Sequence, residues 1–132
     1  MARKVVKIAV TTTGIAGVAV GSAIASIPGG VAELLSYDVK YTSQPGTVDV
    51  TLTAEQPNGV TKTLATLTSQ NTDLAMRRPL EAGVDSVGAD LADTTKSPNL
   101  VKPLVFGTLK VAVAQGDAAT DAVIVTVVLN VL

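Results

Sequence analysis

From Gly107 to Leu132 the chain repeats with a period of two. Leu109, Val111 and Val113 alternate with Thr108, Lys110 and Ala112. Val123, Val125, Val127, Leu129 and Val131 alternate with Ile124, Thr126, Val128, Asn130 and Leu132. Successive side chains of a β-strand point to opposite faces, so this spacing fits strands and not a helix. The residues between, Gln115 to Asp121, are turn formers, and the whole stretch predicts a β-hairpin. Its second strand is apolar on both faces, which requires a central or covered position with other strands around it.

The rest of the chain supplies those strands. Val48, Val50, Leu52 and Ala54 alternate with Thr47, Asp49, Thr51 and Thr53. Pro57-Asn58-Gly59 then offers the left-handed positions of a tight turn, and Val60 to Thr68 returns as the partner strand. Leu35, Tyr37, Val39 and Tyr41 alternate with Leu34, Ser36, Asp38 and Lys40, a half-buried strand preceded by a break at Pro28-Gly29-Gly30. Leu74 to Leu80 reads as a short strand that Pro79 assigns to an edge or a strand end. Glu81 to Asn99 is rich in Gly, Asp, Ser, Thr and Pro, a loop of about 20 residues, a length often tied to function; a subunit contact is expected there. Leu100 to Phe106, interrupted by Pro103, leads into the C-terminal strands. The pattern is all-β: an antiparallel β-sandwich or a jelly-roll-like barrel of about seven to nine short strands. An extended N-terminal strand or arm, residues 1–30, precedes a β-sandwich domain, residues 31–132.

The N-terminus admits three readings. Arg3, Lys4 and Lys7 followed by uncharged Ile8 to Pro28, with Ala23-Ile24-Ala25 near its end, outline an export signal. The uncharged run, about 20 residues, also has the length of a membrane span. Thr11 to Gly14, Gly17, Gly21 and Ser22 make a poor apolar helix, however, because Gly and Thr are weak helix formers. The third reading is a strand with Val6, Ile8 and Val10 on one face, followed by a glycine-rich second strand or arm.

Composition narrows the function classes. The 132-residue chain has no Cys and no His, which removes thiol chemistry, most zinc sites and histidine-based triads. Net charge is −1, unlike the strongly basic balance of a domain that binds nucleic acid by its surface. Charged residues make up 16%, against roughly 25% in typical globular chains, which favours association with neighbours. Tyr37, Tyr41 and Phe106 are the aromatic residues, too few for a stacking platform.

Candidate site residues each have a plain structural alternative. Asp85, Asp90 and Asp93 offer oxygen ligands for calcium, but their spacing is not that of the calcium-binding loop, and solvated loop carboxylates explain them better. Asp117 and Asp121 flank a turn, where Asp bonds backbone. Glu33, Asp38 and Asp49 are the carboxylates available for paired acid–base work on a glycoside, but no aromatic sugar platform accompanies them. Gly14, Gly17 and Gly21 lack the spacing of a nucleotide-binding loop. No catalytic residue, metal or cofactor is implied, and the chain reads as a non-enzyme. Arg3, Lys4 and Lys7, together with Arg77 and Arg78, are the basic groupings, and they are the candidate partner contacts.

Three segments carry a family resemblance: Ser36-Tyr37-Asp38-Val39-Lys40-Tyr41, Thr47-Val48-Asp49-Val50-Thr51, and Gly107 to Asp117 running on to Thr120-Asp121-Ala122-Val123. Over roughly residues 31–132 the chain resembles bacteriophage virion accessory proteins of the capsid decoration, or cement, type. The resemblance implies a virion protein that binds the major capsid protein and copies of itself, as a trimer seated on the capsid lattice, without catalysis. It implies no nucleic-acid or membrane partner. An exported adhesion module with residues 1–25 as its signal, or a phage tail or fibre component, are the alternatives.

Overall fold

The computed structural model describes residues 2–82 and 100–132. Asp85, Asp90, Asp93 and most of the loop from Glu81 to Asn99 lie outside the described residues. Within them the chain is all-β and antiparallel. The strands are β1 (Ala2–Thr12), β2 (Ala19–Tyr41), β3 (Asp49–Glu55), β4 (Thr61–Leu67), β5 (Leu74–Arg77), β6 (Glu81–Ala82), β7 (Leu100–Val101), β8 (Leu104–Gly116) and β9 (Ala119–Val131). Seven of them make one open sheet in the order β1-β9-β2-β8-β3-β4, with β5 also paired to β2, and β6 pairs with β7. The all-β antiparallel class expected from the sequence is thus present, with seven strands in one open sheet where a sandwich or jelly-roll-like barrel was expected.

β2 organises this sheet. It is 23 residues long and has different neighbours along its length. Residues from Ala19 to Ser26 pair with β8; Ala32 and Glu33 are flanked by both β8 and β9; Leu34 to Tyr41 pair with β9, with β5 on the other side at Tyr37 and Val39. Pro28-Gly29-Gly30 does not end the strand, as expected, but bends it. Gly29 and Gly30 take φ of +73° and +82°, and the register with β8 shifts between Ser26 and Val31. Pro, which has no N–H to donate, is tolerated in such a bulge. β2 therefore runs through residue 30, where the N-terminal arm was expected to give way to the sandwich domain.

β1 is no loose arm. Its register with β9 runs from Ala2↔Val131 to Val10↔Val123, and it delivers Ile8 and Val10 to the core. Residues considered as an export signal or a membrane span are strands here, and no helix among the described residues is long and apolar enough to cross a membrane.

The expected C-terminal hairpin is not formed. β8 and β9 follow one another in sequence, but β2 lies between them in the sheet. Period two assigns faces, and it does so correctly: Leu109, Val111 and Val113 of β8 and Val123, Val125, Val127 and Leu129 of β9 are all buried. It does not assign partners. β9 is central, between β1 and β2, as its apolar character requires. By contrast β3 and β4 do form the hairpin read from Pro57-Asn58-Gly59, with Gly59 at φ +85° and Val60 N–H donating to Asn58 Oδ1 at 3.1 Å.

The sheet curls over on itself, so that one face makes one core. Tyr37 and Val39 of β2 and Val125 of β9 meet Val50 and Leu52 of β3 and Ala65 and Leu67 of β4, with no room for water between them. Each fully buried Val or Leu contributes about 1.5–3 kcal/mol.

A polar clamp holds the connection from β8 to β9. Gln44, buried between β2 and β3, donates from Nε2 to Asp117 O (3.1 Å) and accepts the Asp117 N–H at Oε1 (2.9 Å). Buried Thr12 donates to Asp117 O (2.6 Å) and accepts from Ala119 N (3.1 Å). Asp117 Oδ1 accepts from Gly17 N (2.9 Å), and Thr11 Oγ1 accepts from Asp121 N (3.3 Å). The Asp117 carboxylate thus bonds the backbone of the β1–β2 turn and not, as the sequence suggested, that of its own turn, and Asp121 contributes its backbone N–H.

Two substitutions test this construction. Gln44→Leu strands the half-buried Asp117 N–H and is expected to lower stability by about 1–3 kcal/mol. Gly107→Ala is expected to lose more than about 2 kcal/mol, since Gly107 sits at φ +79° and its Cβ would strike the Glu55 carbonyl oxygen of β3. Urea unfolding with linear extrapolation reads both; wild-type midpoints would show the clamp and the close approach to be unimportant.

Tyr41 supplies a pH test. Its Oη is buried and lacks a hydrogen-bond partner. Burial first, then the nearby Asp73 carboxylate and Tyr37, push its phenol from 10.0 up to about 12. Below pH 10 the phenol is neutral whether folded or unfolded. Between pH 10 and about 12 the unfolded chain releases the proton and the folded one resists, so stability is lost as pH rises through that window. Tyr41→Phe is expected to be at least as stable as wild type at neutral pH and to show a shallower alkaline loss, read from urea midpoints across the same range.

Candidate binding site

The core takes one parity of each strand, which leaves the other parity outside. On β1 the outward residues are Arg3, Val5 and Lys7; on β9 they are Ile124, Thr126, Val128 and Asn130; on β2 they include Ser36, Asp38 and Lys40. Register lines these up in rows across three strands: Arg3–Asn130–Glu33, Val5–Val128–Ser36 and Lys7–Thr126–Asp38. β5 continues the face beyond β2.

This face carries a groove of about 470 Å³ lined by Arg3, Val5, Leu35, Ser36, Met76, Arg78, Lys102 and Val128. Its volume falls within the range of small-ligand sites. A β-bulge shapes the floor. Leu34 pairs with Leu129 and Ser36 with Val128, so Leu35 is the extra residue. Leu34 stays fully buried in the core while Leu35 lines the groove. On the β5 side Met76 takes φ +51°, and its N–H donates to Asp38 Oδ1. That contact ties β5 to β2 and carries Met76 and Arg78 to the groove wall.

Among the described residues three cations border the groove and no carboxylate does. The chain's net charge of −1 makes this segregation notable. Its origin lies in how the carboxylates are used. Glu33 accepts from Asn130 Nδ2 (3.1 Å), Asp38 from the Met76 amide, Asp73 from the Tyr41 amide (2.9 Å) and Asp117 from the Gly17 amide. Asp49 accepts from Ser69 N (2.9 Å) and Gln115 Nε2 (3.1 Å). Carboxylates hold the fold together, while Arg3, Arg78 and Lys102 stay exposed around an apolar floor.

Of the five cations singled out from sequence, the structure brings Arg3 and Arg78 together in the groove. Lys7 lies two residues along β1 on the same face, Lys4 is opposite Leu129, and Arg77 is opposite Tyr37, where its charge opposes the rise that burial imposes on the phenol. Lys102 was missed. It stands alone in sequence just after β7, and no local pattern marks it. Asp49 is not brought beside Glu33 or Asp38 in the sheet: β8 lies between β3, which carries it, and β2, which carries the other two. No group of acidic residues able to hold a metal is found among the described residues.

A second exposed region lies on the first half of β2 and the turn before it. Val18 N–H donates to Ile15 O (3.0 Å), closing a turn that presents both side chains. Val20 and Ile24 then stand on one face of the strand. Ile15, Val18, Val20 and Ile24 are 55–77% exposed.

No family model matches the chain, and no curated protein or solved structure is significantly similar to it.

Proposed function

We propose that this protein is a structural virion protein that binds and stabilises a viral capsid lattice, as a decoration or cement protein does, without catalysis. The observation that carries the reading is the exposed aliphatic run Ile15, Val18, Val20 and Ile24 on a chain that buries its aliphatic core on the opposite parity. Grouped aliphatic exposure on a sheet favours burial against another protein. The family resemblance of residues 31–132 supports the capsid as that partner, with further copies of this chain, as a trimer, around it.

The mechanism is mechanical. Each copy adds contact area between neighbouring capsid subunits, and because it binds only the assembled lattice it shifts the equilibrium toward the shell.

Mass spectrometry and imaging of purified particles test the proposal. Stoichiometric copies on the capsid, and a lowered capsid melting temperature when they are stripped, are expected. Absence from particles, or an unchanged melting temperature, would refute it; copies confined to the tail would assign the protein to the tail or fibre instead. Val20→Asp with Ile24→Asp, both exposed, should leave folding intact and reduce occupancy on the shell by tenfold or more, on the order of 1.4 kcal/mol.

A further inference from the structure

We infer that the groove between β1 and β5 binds an extended acidic peptide segment in which Asp or Glu alternates with apolar residues. The inference names the partner chemistry of a second contact surface, and it rests on the reading of the protein as a capsid-binding module.

Arg3, Arg78 and Lys102 approach the groove from β1, from the end of β5 and from the segment after β7. Among the described residues no carboxylate lines the groove to neutralise them. A site with cations on its border and no anion attracts an anionic occupant. Arg side chains favour carboxylates, whose two oxygens match the guanidinium fork.

The floor then selects among anions. Val5, Leu35, Met76 and Val128 give it an apolar surface that a small inorganic anion would leave unused. A chain that alternates charge and apolar side chains satisfies both features at once, because an extended peptide presents the two classes to opposite sides. The walls are too shallow to enclose an alkyl chain: Val5 is 66% and Met76 63% exposed. A peptide laid along the surface needs no enclosure.

The test uses the full-length chain and a fluorescein-labelled, blocked hexapeptide of alternating glutamate and valine, read by fluorescence anisotropy. Saturable binding that weakens with salt is expected. Arg3→Glu, Arg78→Glu and Lys102→Glu should each weaken it by roughly tenfold or more, whereas Lys62→Gln on β4 should not. Replacing glutamate by lysine in the peptide should abolish binding, and replacing valine by serine should weaken it. Circular dichroism and thermal melting of each variant confirm that the fold is retained. No binding, binding unaffected by the charge reversals, equal binding of the serine peptide, or displacement of the peptide by inorganic phosphate or an alkyl phosphate at comparable concentration would each overturn the inference. Peptide binding by a protein absent from particles would refute the capsid reading alone. A protein abundant on particles that ignores the peptide would refute the groove assignment alone.

Discussion

Antiparallel pairing along β2 is the constraint on which the other features depend. One strand has to satisfy β8 on one side of its first half, β9 on the opposite side of its second half, and β5 beyond β8. A straight strand carrying those partners would give a flat sheet with two faces to cover. The shift at Pro28-Gly29-Gly30 bends β2 instead, and the sheet curls until Val39 and Val125 meet Val50 and Leu52. A backbone irregularity thereby substitutes for a second layer. The apolar face covers itself, which suits a chain whose core is mostly Val, Leu and Ala and contains few large side chains.

That arrangement makes the β8–β9 connection the point of greatest demand. The chain must leave one arm of the curled sheet and enter the other within Asp117 and Ala118. Its backbone groups there have no strand opposite to bond. Gln44 supplies both a donor and an acceptor to Asp117, and Thr12 bridges Asp117 O and Ala119 N. Buried polar groups without such partners would cost about 1–3 kcal/mol each. The positive φ of Gln115 (53°) and Asp121 (51°) on either side mark where the chain turns out of strand geometry.

Residue patterns revealed faces more readily than neighbours. The alternations at Val48–Ala54 and Val123–Val131 place the buried rows correctly, because burial depends on local parity. The Pro57-Asn58-Gly59 turn was legible for the same reason: its chemistry is contained in three residues. Pairing of β8 with β2 and not with β9 was not legible, since two valine-rich strands joined by turn formers look alike whether the turn folds them side by side or carries the chain across. Pro-Gly-Gly was read as a break because those residues usually end strands; here the neighbours on both sides hold the strand through its bend. For the groove, Arg3 and Arg78 stood out in basic clusters, but Lys102 and the outward turn of Leu35 arise from register and a bulge, which no local pattern encodes.

Parity also separates stability from recognition. Ile8 and Val10 of β1 and Val123, Val125, Val127 and Leu129 of β9 build the core, so Arg3, Val5 and Val128 on the other face are free of that duty. Changes at exposed positions usually alter stability by less than about 0.5 kcal/mol, so the outer face is open to shaping by contact without loss of the fold. The carboxylates reinforce the separation. Asp38, Asp49, Asp73 and Asp117 are engaged by backbone amides, and their charge is spent on joining strands. Arg3, Arg78 and Lys102 around the groove stay exposed. A chain with almost no net charge thus presents a locally positive surface because its two signs of charge perform different tasks.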